Sequence, residues 1–212
     1  MLARPITLRS RGSNPAPAIF IKMKKRVFII HGWDGRPDCG WLAWLNKELS
    51  SKGYEVHSPE MPQKDFPKIE KWVPYMRKLV GKCDANTYFV GHSMGCQAIL
   101  RYAQSLGKDE NIGGVVFVAG WMKLKGLTTQ EEEEVAAPWI ENAIDYQMVR
   151  SKIDKSVAIF SDDDPFVSLE NSKIYKENVG SKIITEKGKG HYTEDVTKKI
   201  PVALKELLEI MK

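Results

Sequence analysis

The stretch FVGHSMGCQA, Phe89 to Ala98, sets one serine between two glycines where an apolar run stops and a helix-forming run begins. Tyr88 to Val90 reads as the end of a strand, and Cys96 to Leu100 opens a helix. Gly91-His92-Ser93-Met94-Gly95 matches G-x-S-x-G, which as a bare pentapeptide is a modest signal. The strand before it and the helix after it strengthen that signal, because a serine at so sharp a turn takes a strained backbone conformation and only glycines leave room around it. Its hydroxyl is then expected at the C-terminal edge of a sheet, the edge at which open α/β sheets bind ligands.

Working outward, short β-rich runs recur at Arg26 to Ile30, Tyr54 to His57, Tyr88 to Val90, Val115 to Ala119, Val157 to Phe160 and Lys182 to Thr185. Few polar residues interrupt them, which suits strands covered on both faces. Helical periodicity fills the intervals: Trp41, Leu42, Leu45 and Leu49; Ile69, Trp72, Val73, Met76 and Val80; Ile99, Tyr102, Ala103 and Leu106; and a last helix over roughly Ile200 to Met211. The alternation predicts an α/β fold, a mostly parallel sheet of about six strands flanked by helices on both faces through right-handed crossovers. The segment from Trp121 to Lys155 fits this rhythm least. Its acidic run Glu131 to Glu134 reads as a solvated helix face started by a Thr129–Glu132 capping box, and its position after a strand makes it a candidate lid or pocket wall.

A serine hydroxyl is a weak nucleophile and needs a base that is itself oriented by a carboxylate. The chain has four histidines. His92 adjoins the serine, but neighbouring side chains diverge at a sharp turn, so it is expected to pack or hydrogen-bond away from the site. His31 ends the first strand and His57 lies at the second. His191, in GKGHYTED after the last strand, is the candidate base. FSDDDPFV supplies Asp162, Asp163 and Asp164 after the fifth strand; Asp164 is the chosen orienting carboxylate, Asp163 the alternative, and the remaining acids read as a solvated turn. The order Ser93, Asp164, His191 is that of a serine–acid–histidine triad on an α/β sheet. Backbone donors for a developing oxyanion are expected from the N–H of Met94 and, in the HGWDG loop, the N–H of Trp33. Trp121 is the candidate pocket residue, with Trp33 and Trp139 as further aromatics; the alternative reading of these tryptophans, Trp121 and Trp139 above all, is ordinary core packing.

Composition narrows the classes. With 212 residues, 42% hydrophobic and 28% charged, the chain suits one soluble globular domain, placed at 26–212. The net charge of +5 belongs to the tail: residues 1–25 hold six basic residues and no acid, leaving 26 basic against 27 acidic residues elsewhere. The basic, Pro- and Ser-containing tail 1–25 is expected to be a disordered extension ahead of Met23; a transit peptide and a nucleic-acid or partner arm are the alternatives. Apolar runs fall far short of the roughly 18 residues of a membrane span. Cys39, Cys83 and Cys96 show no CxxC spacing, so neither a disulfide framework nor a zinc site is indicated, and a cytoplasmic setting is the default. GKGH lacks the Walker spacing and no metal-ligand cluster competes with the serine. Together with the short apolar runs and the confinement of the charge to the tail, this leaves no cofactor, metal, nucleic-acid or membrane partner expected.

VFIIHGWDG, VGHSMG, SDDDPFV and GKGH, in this order and spacing, resemble an α/β-hydrolase, and specifically the small serine-hydrolase family that includes retinoblastoma-binding protein 9 and YdeN-like proteins. The resemblance covers residues 24–212. It implies a serine hydrolase acting on small esters or amides through a triad, here Ser93, Asp164 and His191. No Leu-x-Cys-x-Glu segment surrounds any cysteine, so a retinoblastoma-type interaction does not carry over. The expectation is therefore a carboxylesterase-like enzyme working through an acyl-enzyme, against two rivals: a non-catalytic interaction protein on the same scaffold, and an amidase or acyltransferase using the same triad.

Overall fold

Six parallel strands hydrogen-bond in the order β2-β1-β3-β4-β5-β6. They are β1 (Arg26–Ile30), β2 (Glu55–His57), β3 (Thr87–His92), β4 (Gly114–Val118), β5 (Ser156–Ser161) and β6 (Lys182–Glu186). The structure, a computed structural model, describes residues 24–212. The expected disorder, targeting and partner roles of the tail thus fall on residues that, up to 23, lie outside the described ones. All six expected strands are present, each within a residue or two of its expected bounds.

Alternate side chains of each strand feed two separate cores. Phe28 and Ile30 of β1 join Phe89, Phe117 and Phe160 on one face, while Val27 and Ile29 join Val90, Val116 and Ile159 on the other. This is the period-2 geometry of a strand applied to a sheet covered on both sides. The second face is covered by α1 (Gly40–Ser51), through Trp41, Leu42, Leu45 and Leu49, and by α7 (Pro201–Ile210), through Ala203 and Leu207. The first face is covered by α2 (Ile69–Val80), α3 (Met94–Gln104), α4 (Gln130–Glu141) and α5 (Tyr146–Lys152), with α6 (Glu170–Ile174) leading into a π-helical turn at Tyr175–Val179. Leu42, Leu45 and Leu49 are fully buried, each contributing roughly 1.5–3 kcal/mol of apolar burial. Among the described residues, no helix is long and apolar enough to cross a membrane.

The sequence between β4 and β5 departs from the single crossover helix used elsewhere. After Trp121 the chain runs without regular structure to Thr129, where the expected capping box starts α4: the Thr129 side chain accepts from Glu132 N–H, and the Glu132 carboxylate accepts from Thr129 N–H. Asn171 clamps this irregular run to the loop after β5, accepting from Met122 and Lys123 N–H and donating to the Lys123 carbonyl.

Strand order reverses between β1 and β3, since β1 continues to β2 on one side and β3 leads to β4 on the other. Such a switch point opens a crevice at the carboxyl ends of the strands. The first turn of α3 is pressed against β1 there: a Cβ on Gly95 would overlap the carbonyl oxygens of Ile30 and His31. Backbone atoms cannot move aside as a side chain does. Gly95→Ala is therefore expected to destabilise the fold by about 1–3 kcal/mol, read as a lower urea midpoint with an unchanged slope.

Candidate active site

Ser93 sits between β3 and α3 at φ 47°, ψ −114°, a conformation non-glycine residues rarely adopt. Its N–H donates to Val118 and its carbonyl accepts from Cys96, so both ends of the strained residue are tied to regular structure. A Cβ at Gly91 would stand 2.7 Å from Ile99 Cδ1 and 2.9 Å from Cys96 N, so the two flanking glycines answer the crowding expected of this turn.

The turn presents the Ser93 hydroxyl to the candidate base. Ser93 Oγ lies 2.9 Å from His191 Nε2, and His191 Nδ1 lies 2.8 Å from Asp164 Oδ2. Asp164 Oδ1 accepts from the N–H groups of Phe166 and Val167, which fixes the carboxylate plane. The carboxylate leaves His191 Nδ1 as the donor and Nε2 as the acceptor of the serine proton. Asp163, the alternative, does not reach His191: its Oδ1 accepts from Ser161 Oγ and Gly190 N–H. Asp162 Oδ1 accepts from Gly188 N–H. The reading of these two acids as a merely solvated turn is corrected here. Both are exposed, yet each binds the backbone of the loop that carries His191.

Burial drives the His191 pKa below the ordinary histidine value, and the charge of His92 adds to that; the Asp164 carboxylate opposes without reversing it. The ring is therefore held as the free base at neutral pH. His92 makes its hydrogen bonds away from the serine hydroxyl, as expected, but it stays beside the candidate base. Its ring turns from the serine hydroxyl but lies 5.2 Å from the His191 ring, and its Nε2 is 2.8 Å from the His191 carbonyl.

Trp33 and Met94 each offer a backbone N–H that donates to no other described residue. For Trp33 the cause is visible one peptide away. His31 Nε2 accepts from Met61 N–H at 2.8 Å, which leaves its Nδ1 to donate to the Gly32 carbonyl at 2.6 Å. A trans peptide carries its C=O and N–H on opposite sides, so holding the Gly32 oxygen turns the Trp33 N–H the other way. His31 is fully buried, and burial lowers its pKa, which keeps it in this neutral tautomer.

A family model described as Serine hydrolase matches residues 27–201. The chain belongs to that serine hydrolase family. YdeN of Bacillus subtilis (strain 168) is 29% identical over 173 residues, 82% of this chain and 88% of YdeN. Serine hydrolase RBBP9 of Rattus norvegicus is 23% identical over 154 residues, 72% of this chain and 78% of RBBP9. The crystal structure of the B. subtilis ydeN gene product superposes with a TM-score of 0.80 at 26% identity, covering 88% of this chain and 98% of the other.

Beside Ser93 and Met94 this serine hydrolase has a cavity of about 120 Å³, walled by Trp33, Trp121, Leu124, Leu127 and Phe166, with Glu132 as its one charged side chain. Trp121 is held there by Gln97, whose Nε2 donates to the Trp121 carbonyl at 2.6 Å. Trp139 is core instead: it packs edge-on against Trp72 and donates Nε1–H to the Pro67 carbonyl. An adjoining hollow of about 530 Å³ shares Trp33 and Glu132 and adds Asp34, Asp65 and Glu131. Among the described residues, no group of three or more His, Cys, Asp or Glu stands where it would hold a metal ion.

Among the residues that shape the serine hydrolase site, His31 carries no signal strong enough to single it out, while Asp163 reads only as the alternative orienting carboxylate and Asp162 only as part of its turn. His31 precedes a glycine at a strand end, which is the one cue available for it. Replacing it tests its part in the loop. His31→Leu leaves the buried Met61 N–H without an acceptor and is expected to cost about 1–3 kcal/mol of stability, measured by urea denaturation; an unchanged midpoint contradicts the assignment.

Proposed function

We propose that the protein is a carboxylesterase-like serine hydrolase, with Ser93 as nucleophile, His191 as general base and acid, and Asp164 as the carboxylate that orients the imidazole. The observation that carries this reading is the unbroken hydrogen-bond chain from Ser93 Oγ through both nitrogens of His191 to Asp164. Ser93 Oγ attacks the acyl carbonyl carbon while its proton passes to His191 Nε2. The carbonyl oxygen becomes an oxyanion and accepts from the N–H groups of Met94 and Trp33. The tetrahedral adduct collapses, the bond to the alkoxy oxygen breaks, and His191 returns its proton to the departing alcohol. Water then repeats the sequence on the acyl-Ser93 ester: His191 takes a water proton, the hydroxide adds to the carbonyl, and serine leaves reprotonated with the free acid as second product.

The apolar cavity beside Ser93 supports an acyl site of limited length. A cavity of 150 Å³ admits benzene, so one of about 120 Å³ suits short acyl groups of about four or five carbons. The carboxylates of Asp34, Asp65, Glu131 and Glu132 around the adjoining hollow favour neutral or cationic alcohol portions over anionic ones. An amide substrate demands proton delivery to a poorer leaving group but the same groups otherwise, so ester turnover is the first activity to measure.

Three outcomes test the reading. Ser93→Ala, at a site that loses only a hydroxyl, should retain the wild-type melting temperature while losing fluorophosphonate labelling and ester turnover; strong residual labelling sinks the assignment. Across p-nitrophenyl esters, kcat/KM should fall by about tenfold or more from butyrate to octanoate, the equivalent of about 1.4 kcal/mol in barrier; a rise with chain length excludes the proposed acyl site. The third is pH. The base must be unprotonated to act, and its pKa lies below the ordinary value of about 6.5. The acid limb of kcat/KM is therefore expected below about 6.5, with a flat profile from there to neutrality.

A further inference from the structure

Behind the chain of Ser93, His191 and Asp164 runs a second buried chain that the reaction as written does not use. His92 Nε2 lies 2.8 Å from the His191 carbonyl, and His92 Nδ1 lies 3.2 Å from Glu194 Oε1. The side chains of His92 and Glu194 are 3% and 11% exposed. A carbonyl oxygen only accepts, so the proton on His92 Nε2 is fixed. One further proton is shared between Nδ1 and the carboxylate. Burial presses both groups toward neutrality, but each is outweighed by the other: the Glu194 carboxylate, helped by the His191 carbonyl, holds the His92 pKa above the usual histidine value, and His92 holds Glu194 below the usual carboxylate value. Both directions favour an imidazolium facing a carboxylate.

Such a pair is a poor way to gain stability, since desolvating two ions offsets most of their attraction and apolar side chains of similar volume pack as well. Its location gives it a different use. His92 immediately precedes the nucleophile, and Glu194 follows the base by three residues. The base rides on a stretch, 187–199, without helix or strand, in which Gly188, Gly190 and Tyr192 all take positive φ. Asp162 and Asp163 fasten that stretch at Gly188 and Gly190, ahead of the base. Trp41 fastens it after the base, donating Nε1–H to the Tyr192 carbonyl. His92 alone among these reaches the main chain of His191 itself.

We propose that the buried His92–Glu194 pair positions the general base, tying the His191 main chain to the residue before the nucleophile and so holding the Ser93–His191 distance during turnover. The inference rests on the proposed roles of Ser93 and His191. His92 and Glu194 are positioning residues, since neither touches the serine hydroxyl. A misplacement of the base by about 1 Å is enough to cost on the order of 100-fold in rate. The titratable groups facing the pair are few. His191 and Asp164 face His92, His31 faces Glu194 from the loop after β1, and Trp41 of α1 packs edge-on against the His92 ring without a charge.

The test compares wild type, His92→Leu, His92→Gln, Glu194→Gln and Ser93→Ala on p-nitrophenyl butyrate, with melting temperatures and fluorophosphonate labelling alongside. Leucine fills the space without a donor, so kcat should fall roughly 10–100-fold with KM within about twofold. Glutamine returns an N–H at the reach of Nε2 and should restore kcat to within a few-fold of wild type. A folded His92→Leu with wild-type kcat overturns the proposal, as does an equal loss in both variants or a loss confined to KM. Should His92→Leu fail to fold, Glu194→Gln decides: it keeps the hydrogen bonds with a neutral His92 and removes the His92 charge that lowers the His191 pKa along with the smaller, opposite effect of the Glu194 carboxylate. The acid limb should then move to higher pH, and an unmoved limb overturns the proposal. Ester turnover that persists in Ser93→Ala overturns the parent reading and this one together, whereas failure of this one alone leaves wild-type labelling at Ser93 intact.

Discussion

The contact on which the site depends is the backbone-to-backbone approach of α3 to β1, where Gly95 lies against the carbonyls of Ile30 and His31. Closing that gap puts the start of α3 directly over the sheet edge and forces Ser93 into its positive-φ conformation. The same approach brings two loops together. One follows β1 and carries the Trp33 N–H; the other is the elbow itself, with the Met94 N–H. The strain at Ser93 persists because its N–H and carbonyl are both bonded to regular structure. A looser strand-to-helix turn would relax the serine and separate the two donors.

Three histidines near this edge are set by different neighbours: His31 and His191 share the neutral form protonated on Nδ1, whereas His92 faces two acceptors. His31 faces a backbone N–H on one nitrogen and a carbonyl on the other, so it is neutral with one tautomer. His92 faces a carbonyl and a carboxylate, so both nitrogens carry protons. His191 faces a carboxylate and a hydroxyl, and burial with a cationic neighbour keeps Nε2 free. One side-chain type thus serves in three places, set apart by hydrogen-bond partners together with burial and neighbouring charge.

The sheet was legible because its strands are short apolar runs and its helices keep a 3.6-residue period, both of which are local properties of the chain. Ser93 was legible because glycine spacing at a strand end is local too. Asp164 and His191 could be nominated from chain order and loop position, with Asp163 as the alternative; only the folded turn shows that Asp164 reaches His191 while Asp163 bonds Ser161 and Gly190. What stayed hidden is long-range polar pairing. Glu194 is an ordinary acid in a loop until the fold sets it 3.2 Å from His92, 102 residues away in sequence. Asp162 and Asp163 read as a solvated turn because they are adjacent carboxylates beside Pro165, and only the path of the histidine loop shows that they bond its backbone. His92 was expected to turn away for a sound local reason, side-chain divergence, but a neighbour that diverges from the serine can still meet the backbone of the base.

The central claim is that the acyl group passes through Ser93. Its most direct test is rapid acid quenching of the enzyme during turnover of p-nitrophenyl butyrate, followed by peptide mass spectrometry. The account predicts a butyryl group on the Ser93 side chain, appearing within one turnover and disappearing as substrate is exhausted. A butyryl group on another residue, or turnover with no covalent intermediate when release is the slow step, would contradict it.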